Sequence, residues 1–170
     1  QRAVLFGGSI RSNIAYGEIL DVLSATKTAL EGTYTQNEVV TYVVTLRNTG
    51  NTVLTGLTVT DNLGAYDLNG NTVYPLTYET GTVAVFADGV PQATPAVTAG
   101  PPLVITGISV PADGDVVIVY QARVNAAANP TAQGIIVNTV TVTGDGLSAP
   151  VTATETVTAE AAPALNITKS

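Results

Sequence analysis

The stretch Val39-Val40-Thr41-Tyr42-Val43-Val44-Thr45-Leu46-Arg47-Asn48-Thr49-Gly50-Asn51 decides the fold. Val40, Tyr42, Val44 and Leu46 alternate with Thr41, Thr45 and Arg47. Side chains of an extended chain point to opposite faces in turn, so this segment has one apolar and one polar face. That is the pattern of a half-buried strand, and Asn48-Thr49-Gly50-Asn51 closes it with a turn signal. The same period recurs outward along the chain. Leu57, Val59 and Asp61 alternate with Thr58 and Thr60, and Ile136, Val140 and Val142 oppose Thr139, Thr141 and Thr143. Val151, Ala153 and Val157 oppose another threonine face, and Val116 to Val124 is a nearly continuous apolar strand. Val83 to Phe86 and Val90 to Gln92 flank Ala87-Asp88-Gly89, a hairpin signal. Turn clusters separate the runs at Asn69-Gly70-Asn71, Ala99-Gly100-Pro101-Pro102, Pro111 to Gly114 and Gly144-Asp145-Gly146. No segment carries a helical period. The expected class is all-β, a sandwich of about seven to ten short strands.

Composition narrows the function. Charged residues are 11% of the 170, against about 25% in an ordinary domain. Threonine covers the polar faces instead, and valine and threonine are both β-branched residues suited to a pleated sheet. There is no Cys, His, Met or Trp. Nucleophilic triads and zinc or iron–sulfur centres therefore lack their usual parts, and no cofactor or metal site is expected. Carboxylates exist, but no pair is placed in a cleft by its spacing, so the chain reads as a non-enzyme. A net charge of −7 argues against a nucleic-acid partner. No apolar run approaches the roughly 20 residues of a membrane span. The chain begins at Gln1, which suggests a processed product or a fragment, with any signal peptide removed.

Three regions are expected. Residues 1–19, with Ala3, Val4, Leu5, Phe6 and Ile10, form an apolar arm or extra strand that could pair with a neighbouring subunit. Residues 20–160 form the sandwich module. Residues 161–170 form a linker and the first strand of a following repeat, because Leu165-Asn166-Ile167-Thr168-Lys169-Ser170 matches Leu23-Ser24-Ala25-Thr26-Lys27-Thr28.

The motifs Val39 to Asn51, Leu57-Thr58-Val59-Thr60-Asp61-Asn62-Leu63 and Val137-Asn138-Thr139-Val140-Thr141-Val142 resemble a conserved tandem-repeat domain of bacterial and archaeal surface proteins (domain-of-unknown-function family eleven). The resemblance covers roughly residues 20–160. Val140 stands where alanine is commoner, and 65–112 looks like an insertion. It implies an immunoglobulin-like β-sandwich, an extracellular place on a cell or spore surface, and a structural or adhesive role.

One constellation carries chemistry. The chain has two lysines, Lys27 and Lys169, at equivalent places in the two repeat copies. By parity Lys27 shares a face with Leu23, Ala25 and Ala29. Asp61 lies with Leu57 and Val59, and Asn138 with Ile136, Val140 and Val142. An amine, a carboxyl and a carboxamide thus face inward from three strands, and a lone buried charge is costly, so they should meet. One reading is an autocatalytic isopeptide bond between Lys27 and Asn138 with Asp61 as the acid catalyst, similar to the bonds inside Gram-positive pilin and adhesin modules. The other is a non-covalent Lys27–Asp61 ion pair with Asn138 hydrogen-bonded nearby, or a Lys27 that reaches out to solvent. Asn48 is a rival acceptor and Glu155 a rival acid.

Asp113-Gly114-Asp115 has the composition of a calcium turn but reads as an ordinary turn after Pro111. Asn166-Ile167-Thr168 is a glycosylation sequon that reads as a plain strand. The leading functional reading is a stalk repeat or filament subunit that associates with itself by β-strand addition. The alternative is an adhesin domain binding a surface ligand through Tyr66, Tyr74 and Tyr78.

Overall fold

The computed structural model describes residues 22–161 and 168–169. The expected arm at 1–19 lies outside the described residues, as does most of the repeated segment at Leu165–Lys169. Fourteen strands follow one another along the described residues. They are β1 (Leu23–Ala29), β2 (Thr33–Tyr34), β3 (Val39–Asn48), β4 (Leu54–Asp61), β5 (Tyr66–Leu68), β6 (Asn71–Val73) and β7 (Leu76–Tyr78). Then come β8 (Ala84–Ala87), β9 (Val90–Pro91), β10 (Ala96–Thr98), β11 (Leu103–Val110), β12 (Asp115–Val124), β13 (Ile135–Thr143) and β14 (Val151–Ala159). Only two short 3-10 turns interrupt them, at Ala126–Ala128 and Ala132–Gly134.

Ten of the strands, with β2 and β7, build two sheets. One runs β1-β3-β12-β8-β9, with β7 also paired to β12; the other runs β10-β11-β4-β13-β14-β2. Pairing is antiparallel throughout, except for the brief parallel contact of β2 with β14. The β5–β6 hairpin stands apart. Parity places the side chains as the sequence requires. On β3, Val40, Tyr42, Val44 and Leu46 are at most 1% exposed, and Val116, Ile118, Tyr120, Ala122 and Val124 of β12 lie beside them in the same sheet. Leu57 and Val59 of β4, Ile105 of β11, and Ile136, Val140 and Val142 of β13 close the core from the second sheet. Each such aliphatic side chain removed from water contributes about 1.5–3 kcal/mol.

The segment 65–112 is not a simple appendage. It supplies β7, β8 and β9 to one sheet and β10 and β11 to the other. The β8–β9 hairpin turns at Asp88 and Gly89, both with positive φ (47° and 79°), the backbone that a two-residue turn between twisted strands demands.

Candidate functional site

Lys27, Asp61, Asn138 and Asn48 are the buried polar and charged residues among those described. Three of the four meet. Lys27 projects from β1 of the first sheet, and Asp61 and Asn138 project from β4 and β13 of the second. The β4–β13 register pairs Asp61 with Val140, which puts Asn138 one inward position along from it. Exposure is 4% for Lys27, 1% for Asp61 and 0% for Asn138, so the cluster is buried between the sheets.

The Lys27 ammonium donates to Asp61 Oδ2 and, at 2.6 Å, to the Tyr120 hydroxyl. The Tyr120 hydroxyl in turn donates to the same carboxylate oxygen. Asn138 Nδ2 also points there, at 3.3 Å. One oxygen of Asp61 therefore gathers the amine, the phenol and the carboxamide. The other, Oδ1, accepts the Leu63 N–H at 2.7 Å and fixes the carboxyl plane. Burial pushes the Lys27 amine below its ordinary pKa of 10.5, and the charges of Asp61 and Glu155 oppose that shift. Burial and the Asp61 charge hold the Tyr120 hydroxyl well above its ordinary value.

The chain after β4 completes the site. Leu63 and Gly64 adopt positive φ (52° and 72°) and turn the backbone beneath Asn138. The Gly64 N–H donates to Asn138 Oδ1 at 3.2 Å and to Asn62 Oδ1 at 3.0 Å. Asn62 Oδ1 also accepts the Thr139 N–H at 2.9 Å, which clips this turn to β13. A Cβ on Gly64 would lie 2.7 Å from Ile136 Cγ2 and 2.9 Å from Pro75 Cγ, so the position needs glycine for space as well as for φ.

Aromatic rings wall the amine. Its nitrogen lies 4.6 Å from the Tyr42 ring centroid and 5.3 Å from that of Tyr120. The two rings are direct cross-strand partners and stack with centroids 5.8 Å apart. Sequence reasoning placed Tyr42 on the inward face but gave neither tyrosine a part. The available signal was parity: a hydroxyl on an otherwise aliphatic inward face needs a partner.

The rivals are placed elsewhere. Asn48 is a turn clip: Nδ2 donates to Thr52 O and Pro111 O, and Oδ1 accepts the Gly50 N–H. Glu155 is the register partner of Asn138 on β14 and half-buried, and acts on Lys27 only through its charge. Asp113 sits at positive φ and pairs with Arg47 at 2.7 Å. Tyr66 donates to Ala127 O at 2.6 Å and Tyr78 is 7% exposed, so both pack their segment onto the sandwich.

No protein-family model matches this chain, and no curated protein matches it. Solved structures do. The full-length major pilin RrgB of Streptococcus pneumoniae aligns with a TM-score of 0.55 and 17% identity over 74% of this chain. The full-length major pilin SpaD of Corynebacterium diphtheriae gives 0.57 and 13% over 78%, covering 34% of that pilin. The N-terminal domain of the Streptococcus gordonii adhesin Sgo0707 gives 0.55 and 16% over 79%, covering 32% of that chain. This chain spans 31%, 22% and 24% of the three RrgB structures it matches. At such identities the likeness establishes the fold: an immunoglobulin-like β-sandwich of the kind found in pilins and adhesins.

Proposed function

We propose that this chain is a structural module of an extracellular surface protein or filament, stapled internally by a Lys27–Asn138 isopeptide bond. The observation that carries the reading is the meeting of a lysine from one sheet with an aspartate and an asparagine from the other, in a core that excludes water. Such a cluster is a poor investment for stability alone. An ion pair taken out of water often does no better than apolar residues of the same volume. It is well suited to amide formation. Nearly all its components are neutral once one proton moves from the Lys27 ammonium to Asp61.

The freed amine pair of Nζ attacks Asn138 Cγ, and the carbonyl electrons move onto Oδ1, to which the Gly64 N–H donates a hydrogen bond. Asp61 gives its proton to Nδ2 and takes one from Nζ. The carbonyl re-forms, the Cγ–Nδ2 bond breaks and ammonia leaves. The products are an amide between Lys27 and Asn138, a protonated Asp61 and one ammonia, with no net change of charge in the core. Fixed geometry supplies the rate, since aligned intramolecular partners reach effective molarities on the order of 10⁵ M or more.

The wider reading rests on the threonine-covered strands, on a composition without His, Cys, Met or Trp, and on the pilin-like fold. The motifs at Val39 to Asn51, Thr60-Asp61 and Asn138-Thr139 support membership of the tandem-repeat surface domain, and residues 3–10, or the terminal strand Leu165–Lys169, are assigned the role of inserting into a neighbour's sheet. The internal engagement of Tyr66 and Tyr78 favours a structural role over ligand binding at that segment. Intact mass tests the staple: the chain is expected to weigh one ammonia less than its sequence. The full sequence mass after folding would leave only a buried ion pair.

A further inference from the structure

The Tyr120 hydroxyl stands between the two groups that must exchange protons. Tyr120 lies on β12, in the sheet that carries Lys27, and is 0% exposed. Its hydroxyl accepts from Lys27 Nζ at 2.6 Å and donates to Asp61 Oδ2 of the other sheet. The two bonds run the same way, from amine to phenol to acid. Asp61 has one oxygen to work with. Oδ1 is turned to the Leu63 N–H at 2.7 Å, while Oδ2 faces the amine, the phenol and Asn138 Nδ2. Amide formation asks two transfers of that one oxygen: it gives a proton to Nδ2 and recovers one from Nζ. The direct Lys27–Asp61 hydrogen bond serves the earlier move, in which the ammonium gives up a proton and frees its electron pair. That hydrogen is then spent. Of the hydrogens left on Nζ, the one already held by an acceptor is the one on Tyr120.

We propose that Tyr120 is a second catalytic residue of the cross-link, its hydroxyl relaying the last proton from Lys27 Nζ to Asp61. This rests on the isopeptide reading. Once Nζ has added to Asn138 Cγ, the new C–N bond leaves Nζ cationic, with two hydrogens. Asp61 has then given its proton to Nδ2, and Oδ2 is a bare carboxylate oxygen again. The Nζ–H bond that faces Tyr120 breaks and a new O–H bond forms on Oη. In the same motion the old Oη–H bond breaks and its proton passes to Oδ2. Nζ keeps the electron pair of the bond it loses, Tyr120 ends as the neutral phenol it began as, and Asp61 ends protonated. The Oδ1 pair re-forms the carbonyl, and ammonia leaves with the Cγ–Nδ2 electrons. Because Tyr120 gains one proton as it loses another, no phenolate forms. That suits a hydroxyl whose burial and neighbouring Asp61 charge disfavour the phenolate. Proton transfer by a side chain needs hydrogen-bond reach, and both legs of this relay are within it before the reaction starts.

The test starts from the full chain recovered unfolded in urea from inclusion bodies, at its full sequence mass. Ammonia loss is followed by intact mass at intervals after dilution, and folding is timed on the same samples by circular dichroism. Tyr120→Phe keeps the ring that stacks on Tyr42 and removes only the hydroxyl. It is expected to slow the loss about 100-fold, the low end of what a positioned proton-transfer group contributes. A second measurement needs no variant, and takes the parent rate in mixtures of light and heavy water. A relay moves two hydrogens together, so the parent rate is expected to fall along a curve as the deuterium fraction rises. A single transfer gives a straight line, which is the expectation for Tyr120→Phe. Equal rates of ammonia loss in the two chains overturn the role of Tyr120 and leave the cross-link standing. A straight line in the parent also overturns it, as does a slower variant that keeps the curve, which would mark the hydroxyl as packing alone. A parent chain that folds and loses no ammonia removes the cross-link and the proposal together.

Discussion

Lys27 is a cation held at 4% exposure by one carboxylate, one phenol and two ring faces. Its burial has a consequence for pH dependence that separates the free amine from the amide. An Asn138→Ala chain keeps the amine. Because burial lowers the native pKa below 10.5, the unfolded chain binds more protons at this site between the native value and 10.5. Stability at this site therefore rises with pH through that window. Tyr42 and Tyr120 act the other way, but only above their ordinary value of 10, where the unfolded chain ionises and the buried hydroxyls do not. Urea midpoints of Asn138→Ala are expected to climb as pH rises toward 10, while the cross-linked parent shows no such climb. A flat profile in the variant would mean that Lys27 is not desolvated as described. Lys27, Asp61 and Asn138 were legible from parity alone, because each follows aliphatic neighbours at a spacing of two. Tyr120 and Gly64 were not. Tyr120 lies in a nearly continuous apolar run, and Gly64 acts through its backbone, which no side-chain pattern reports.

At the scale of elements, the turn after β4 carries as much of the site as the strands do. Asp61 Oδ1 holds Leu63, Asn62 Oδ1 holds Gly64 and Thr139, and Gly64 holds Asn138. A Gly64→Ala substitution meets both a positive φ of 72° and a Cβ contact of 2.7 Å with Ile136. A loss of about 1–3 kcal/mol is expected by urea unfolding, from backbone strain plus overpacking. The same variant is expected to cross-link more slowly, since shifting the turn moves the donor away from Oδ1. Unchanged stability would show that the turn has room to relax. Asn62 and Asn48 show why turn chemistry is only half readable in advance. Both stand in turn-like sequence, yet one organises the reactive cluster and the other ties β3 to the loop before β12, a difference set by which strand each turn faces.

At the scale of the whole molecule, the staple joins the sheets rather than neighbouring strands. It would run from β1, an edge strand of one sheet, to β13 inside the other, and close a loop of about 110 residues. Loop-closure entropy alone assigns a cross-link of that span about 4–5 kcal/mol. Lys27→Ala is expected to lose at least that much, because it also leaves Asp61 buried without its cation. On a denaturing gel the uncross-linked variant should migrate as the more expanded chain. Identical mobility and stability of Lys27→Ala and parent would exclude the staple. If the first residues act as an assembly arm, deletion of 1–12 is expected to abolish fibre formation seen by electron microscopy while leaving the mass deficit intact; fibres of normal length would remove that role. The sequence by itself determined the all-β class, the inward faces and the three polar residues on them, because strand periodicity is a local property written in every second residue. Only the tertiary structure decided that these faces belong to opposing sheets, that Asn48 and Glu155 stand aside, and that two tyrosines enclose the amine, because strand order and sheet-to-sheet register depend on contacts far apart in the chain.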